Sequence, residues 1–396
     1  MFSSLLSGQP RRFVRLLPAA ALVCLLGCVP KSPKQVVLTA DELLNQAQSA
    51  GLTLENPFAL NDEIRAEVDK DVGRRGTAFE RVQRITRFMH DRGYLNFKYD
   101  ADTTLTACQA FESRRGNCLA YTNLFVGIAR YLKVPVYFVY VSDVGGYFER
   151  DGLFFVSSHM AIGFDMGELG AGPGMYKAVV DLSGQISATP SLYRFEAIDD
   201  ASAVAYFYNN VAVERMLKGD TAYAERLLRF LLEEKPRMKE IYNNLSVVLL
   251  RKGEAREDLK TLRQGMEMYP SYPPFYTNAV QAANAVGNHT LAERLEEEGR
   301  RVASRNPSFL FNQGLDRYDK KDYEGAADYF KRAIKFMPNS PFLYAYLAKA
   351  YLSGGKVKEG LDAFTTSQEI YPNNPMLEKL RSEFPALARA PRPDTP

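Results

Sequence analysis

The spacing of hydrophobic residues changes character twice along the chain. Near the start, two short stretches, roughly 40–49 and 62–71, repeat apolar positions at helical intervals. Asn61 is placed to cap the second, with Asp62 and Glu63 in its first turn. Residues 77–93, TAFERVQRITRFMHDRG, then put Phe79, Val82, Ile85, Phe88 and Met89 on one helical face, and Gly93 stops the run. Two more helices are expected, around 104–113 and 118–132, with a turn at Gly116 between them. Beyond Val134 the residues become β-branched and aromatic. VPVYFVYVSDV and GLFFVSSHMAIGFDM read as the two strands of a hairpin, and MYKAVVDLSG as a third strand. Helices followed by an antiparallel sheet predict an α+β domain over about 75–195.

From residue 205 the helical period returns and repeats. Frames of 34 residues begin at 205, 239, 273, 307 and 341. The fourth place holds Tyr208, Tyr242, Tyr276, Leu310 and Tyr344. The eighth holds Ala212, Ser246, Val280, Gly314 and Ala348, and the twentieth Ala224, Asp258, Ala292, Ala326 and Gly360. Prolines at 236, 270, 338 and 372 keep one register, while position 304 is Ser with Pro307 after it. The pattern resembles the tetratricopeptide repeat, with large residues at place 4 and small ones at 8 and 20. Asp258 and Val280 depart from it. The resemblance implies an all-α solenoid of about five repeats over 205–374, with Tyr242 and Tyr344 buried between helices. It also implies a groove that binds a protein or peptide partner. The Pro-rich end, 385–396, reads as a disordered tail.

The N-terminus has a different pattern. Arg11, Arg12 and Arg15 precede an apolar run, Leu16 to Leu26, too short to span a bilayer. It ends in LLGC, which resembles the lipobox of bacterial lipoproteins. That resemblance implies a leader over 1–27 and a lipid on Cys28. It places the protein in the cell envelope, held on a membrane and facing the periplasm, with a mild preference for the outer membrane. Residues 28–74 would then be a tether, with Pro30 and Pro33 favouring extended chain, and the short helices.

Composition narrows the class. A net charge of +3 with no long basic run argues against nucleic acid as a partner. Four cysteines occur: Cys24, Cys28, Cys108 and Cys118. Cys108 and Cys118 are too few, and too far from any His cluster, to make a zinc site, and no cofactor is expected. In an exported protein the two could form a disulfide, or Cys108 could be an inert free thiol.

Cys118 stands where a turn becomes an apolar helix. Partial positive charge and free N–H groups at a helix start favour a thiolate there. The backbone N–H of Cys118 could also face a developing oxyanion. A nucleophilic thiol needs a base and an orienting acid. His90 and His289 lie in charged or polar surroundings and read as surface residues. His159 opens the strand HMAIGF, and Asp181 ends KAVVD on the next strand, so the two can be neighbours.

The stretch from TLTACQAF to YFVYV, with Gly116, Cys118, Tyr121, Ala129, Arg130 and Val134-Pro135, resembles the transglutaminase-like superfamily of papain-type cysteine enzymes. The resemblance implies Cys118 as nucleophile, His159 as general base and acid, and Asp181 as the group that orients the imidazole. The family's tryptophan oxyanion partner is missing, since the chain has no Trp. Tyr94 and Gln109 are the candidates to replace it. The implied function is a membrane-anchored acyl-transfer enzyme acting on amide bonds, by hydrolysis or transamidation, with repeats that recruit a protein or peptide. The alternative is a non-catalytic scaffold lipoprotein whose repeats bind a partner.

Overall fold

The computed structural model describes residues 21–25, 38–94, 103–142, 147–150, 153–156, 159–165, 177–181, 194–370 and 375–389. Five helices open the fold: α1 (Ala40–Ser49), α2 (Asp62–Asp71), α3 (Ala78–Asp91), α4 (Ala107–Ser113) and α5 (Cys118–Tyr131). Thr39, Thr77 and Thr106 each start a helix with a reciprocal capping box. The Asn61 side chain accepts from the Ile64 N–H and starts α2.

The strands are β1 (Ala21–Leu25), β2 (Tyr137–Ser142), β3 (Tyr147–Arg150), β4 (Leu153–Val156), β5 (His159–Asp165), β6 (Lys177–Asp181) and β7 (Arg194–Ile198). Five of them form an antiparallel sheet in the order β1-β6-β5-β2-β7. Part of the apolar segment before Cys28 is thus an edge strand, with Ala21 opposite Asp181. GLFFVSSHMAIGFDM does not form one strand. Its first part is β4, which among the described residues pairs with β3 alone in a separate ribbon, and its second part is β5, which pairs with β2 and β6. Helix α5 is buried from Cys118 to Ala129 and lies on β5. On another side, Gly127 lets α5 approach the segment before α2, because a Cβ there would sit 2.5 Å from the Phe58 carbonyl oxygen.

The second half is helical: α6 (Asp200–Leu217), α7 (Thr221–Glu234), α8 (Lys239–Arg251), α9 (Ala255–Met268), α10 (Pro273–Ala285), α11 (His289–Ala303), α12 (Pro307–Asp319), α13 (Tyr323–Ile334), α14 (Pro341–Ser353), α15 (Val357–Ile370) and α16 (Pro375–Glu383). The helices pair as α6–α7, α8–α9, α10–α11, α12–α13 and α14–α15. Small residues do what the frame asks of them. At Gly314 a Cβ would stand 2.5 Å from the Phe330 ring, and at Gly360 2.6 Å from the Leu352 side chain. Tyr242 is buried, but Tyr344 only partly so, since Phe342 and Leu343 turn inward before it. Val280 is also only partly buried, and Ala279 takes the close-packed place beside it. The Pro-rich end begins as a 3-10 turn, Pro385–Arg389, rather than disordered chain. Leu387 is fully buried in the last core, and its carbonyl accepts from Arg381 at 3.1 Å.

One hydrophobic core runs from Ala40 to Leu249, across the border between sheet and solenoid. Arg130 grips Asp200 with both guanidinium nitrogens, at 2.5 and 2.6 Å. The Tyr208 hydroxyl donates to the Glu55 carbonyl at 2.8 Å. Tyr140 on β2 stacks on Tyr206 with centroids 4.8 Å apart and donates to buried Glu240 at 2.6 Å. No helix among the described residues is long and apolar enough to cross a membrane.

Candidate active site

Gly116 sets up the first element. Its φ of 147° is reached readily only without a Cβ, and a Cβ there would lie 2.6 Å from that of Ala120. The chain then turns into α5 at Asn117, whose side chain accepts from the Ala120 N–H at 3.2 Å and donates to Thr104 Oγ1 at 3.0 Å. Cys118 is therefore the first residue of a capped, buried helix, and it is itself only 5% exposed.

Two strands supply the partners. His159 begins β5, and the register that pairs Ile162 with Val180 sets Asp181 diagonally across from it on β6. His159 Nε2 lies 3.3 Å from Asp181 Oδ1, and both side chains are 1% exposed. Helix and sheet are tied beside this pair. Thr122, one turn after Cys118, donates to the carbonyl of Met160, the residue after His159, at 3.3 Å. Sequence reasoning missed Thr122. A threonine inside an apolar helix is the signal that could have found it, because it needs an acceptor when buried.

Electrostatics favour a charged imidazole. Burial pulls the His159 pKa down, but the Cys118 sulfur and the Asp181 carboxylate outweigh it and push it from 6.5 up to about 10. The arrangement thus brings together Cys118, His159 and Asp181. The two oxyanion candidates each make a local hydrogen bond. The Tyr94 hydroxyl donates to the Phe111 carbonyl at 2.8 Å, and Gln109 Oε1 accepts from the Thr106 N–H in the capping box of α4. Cys108 is a half-buried thiol whose sulfur lies 3.4 Å from the Ala59 carbonyl, and neither it nor Cys118 forms a disulfide. His90 and His289 sit at the surface. Cys28 lies outside the described residues. Among the described residues no group of three or more His, Cys, Asp or Glu is placed to hold a metal ion.

Residues 63–152 match the family model of the transglutaminase-like superfamily, and residues 307–340 that of the tetratricopeptide repeat. The chain carries a transglutaminase-like domain followed by a tetratricopeptide repeat. The first match takes in Cys118 and ends before His159 and Asp181. No curated protein matches the chain. Solved structures similar to it include TTC0263, a thermophilic TPR protein in Thermus thermophilus, at 22% identity over 45% of this chain and 96% of that one, with a TM-score of 0.25. MamA from Desulfovibrio magneticus is similar at 15% identity over 42% of this chain and 94% of its own, with a TM-score of 0.24. YrrB, described as a TPR protein with an unusual peptide-binding site, is similar at 12% identity, 45% and 92% coverage and a TM-score of 0.25.

Proposed function

We propose that the transglutaminase-like domain is a thiol acyl-transfer enzyme that acts on amide bonds. The observation that carries this reading is the buried set of Cys118 at the start of α5 and, interacting with it, His159, whose Nε2 lies 3.3 Å from Asp181 Oδ1. Cys118 attacks the amide carbonyl, and His159 gives its proton to the departing amine. The carbon–nitrogen bond breaks and a thioester remains. Water or a second amine, deprotonated by His159, then attacks the thioester and releases the sulfur. Asp181 holds the ring and stabilises its positive charge. The backbone N–H of Cys118, at the start of α5, serves the oxyanion.

The repeats recruit the protein or peptide that carries the amide. Residues 1–27 act as a leader and Cys28 as the lipid-bearing residue, which sets the enzyme on a membrane facing the periplasm. On that reading β1 is lost on maturation and β6, the strand of Asp181, becomes the sheet edge. A thiol-reactive electrophile tests the nucleophile. It should label Cys118 in the intact protein, fail to label Cys118→Ala there, and react far more slowly with His159→Ala.

A second reading, a non-catalytic scaffold lipoprotein, draws on the closure of the site. All three residues are 5% exposed or less. Unchanged labelling in His159→Ala would favour it.

A further inference from the structure

A hydroxyl side chain inside a helix commonly bonds back to the carbonyl one turn earlier. Thr86 in α3, Thr261 in α9 and Thr366 in α15 do so, each donating at 3.0 Å to the carbonyl four residues before it. Thr122 in α5 does not. Cys118 stands four residues before it, yet its hydroxyl donates to the carbonyl of Met160 on β5, at 3.3 Å. The residue is 1% exposed. A hydroxyl has one proton to give, and this one goes to another element.

The place it reaches lacks support on one side. The ladder between β5 and β6 starts at Ile162, opposite Val180. Ahead of that point, Met160 pairs with Tyr140 and His159 with Val141, both on β2. Along the other edge, 159–161 have no ladder partner among the described residues.

Cys118 and Thr122 lie one turn apart on one face of α5. Met160 follows His159 directly. The bond therefore closes a short circuit, from the sulfur along one helical turn, across to the strand and back to the imidazole. A β-branched side chain is stiff at χ1, so the link passes on position rather than absorbing it.

We propose that Thr122 is a positioning residue: its bond to the Met160 carbonyl sets the His159 imidazole against the Cys118 sulfur. The proposal rests on the reading of Cys118 as the nucleophile, and one arm of its test does not use the thiol. The charged groups that face the ring are Cys118 from α5 and Asp181 from β6. Thr122 carries no charge, so loss of its hydroxyl changes the titration of the ring by moving the ring against those two.

Thr122→Val keeps the shape of the side chain and loses the hydroxyl, while Thr122→Ser keeps the hydroxyl. Both are made in the full-length protein. Iodoacetamide modification of Cys118 is followed by peptide mass, with Cys108 as the internal reference. At pH 7 Thr122→Val should slow Cys118 at least about fivefold and leave Cys108 unchanged, and Thr122→Ser should come within about twofold of the wild type, since a small misplacement is costly to a reacting pair. The second arm reads the imidazole. The chain has three histidines, so ring carbon-13 labelling separates His159 from His90 and His289. In Thr122→Val the His159 midpoint should fall by about one pH unit or more, as the ring leaves the charges that raise it. Thr122→Ser should restore it. An unshifted His159 midpoint in Thr122→Val would overturn the proposal, even with a lower melting temperature, because a bond that only stabilises the fold gives that result. Thr122→Ala, which also lacks the hydroxyl, repeats the measurement if Thr122→Val does not fold. A lowered midpoint together with unchanged alkylation of Cys118 in His159→Ala would keep the positioning role and reject the thiol reading.

Discussion

Arg130 and Asp200 form a two-pronged ion pair, with Nη1–Oδ2 at 2.5 Å and Nη2–Oδ1 at 2.6 Å, and it joins the last turn of α5 to the first turn of α6. The guanidinium also lies 5.0 Å from the centroid of Phe58 and 5.4 Å from that of Phe138. The helix that starts with Cys118 is thereby clamped at its other end to the solenoid. Both partners are about one-third exposed, so Arg130→Met should cost about 1–2 kcal/mol. Arg130→Lys should recover only part of this, because an ammonium lacks the fork. Chemical denaturation of the two variants against the wild type checks both values.

Gly127 tests how tightly α5 is seated. With a Cβ at 2.5 Å from the Phe58 carbonyl and 2.9 Å from Leu60, Gly127→Ala must push the helix away from the segment before α2. A loss of roughly 1–3 kcal/mol and a lower melting temperature are expected, despite the better helix propensity of Ala.

Asp258 gives the solenoid a pH dependence. It occupies a place where the repeat wants a small residue, and it is fully buried with the Ser246 hydroxyl as its polar neighbour. Burial pushes its pKa from 3.8 up to about 7, with a small opposing pull from Ser246. A carboxyl raised on folding stabilises the fold least when ionised. Its favourable share is complete below about 4 and is lost as pH rises through about 7. Asp258→Asn should therefore melt higher than the wild type at pH 8, with the difference shrinking towards pH 4. A melting series across that range reads the effect. Equal differences at all pH values would contradict it.

His159 should titrate late. Its pKa is raised from 6.5 to about 10, so the stability it contributes is complete below 6.5 and is lost as pH rises through 10. Asp181→Asn removes one of the two charges that raise it. The alkaline limb of the Cys118 alkylation profile should then move to lower pH. A profile that stays in place would show that Asp181 does not act on the imidazole.

The anchor is tested separately. Cys28→Ser should remove the lipid and release the protein from the membrane fraction. Retention of the variant after a high-salt wash would count against the lipobox reading.

Local signals made much of this fold legible. Asn61 and Asp62–Glu63 marked the start of α2, Gly93 the end of α3, and Gly116 the turn into α5. The 34-residue frame located the buried tyrosines 208, 242 and 276. Contacts between distant segments were not legible. Nothing in LFFV says that it leaves the sheet for α8 and α10, because a β-rich run fits either surface. Tyr344 failed for a related reason: the frame gives a place in the repeat, while its neighbours Phe342 and Leu343 decide which residue fills the core. In the site, order and spacing pointed to Cys118, His159 and Asp181, which the fold brings together. The bond from the Tyr94 hydroxyl to the Phe111 carbonyl was not legible, because it joins residues of separate elements.

The most direct test is acylation of Cys118 itself. Full-length protein is mixed with an activated ester, the reaction is stopped in acid, and the acylated peptide is located by mass. The wild type should carry the acyl group on Cys118 within minutes and lose it again as water or an added amine takes it. His159→Ala should acylate at least about a hundredfold more slowly. No adduct on Cys118, or acylation of Cys108 and Cys118 at equal rates in wild type and His159→Ala alike, would contradict the account.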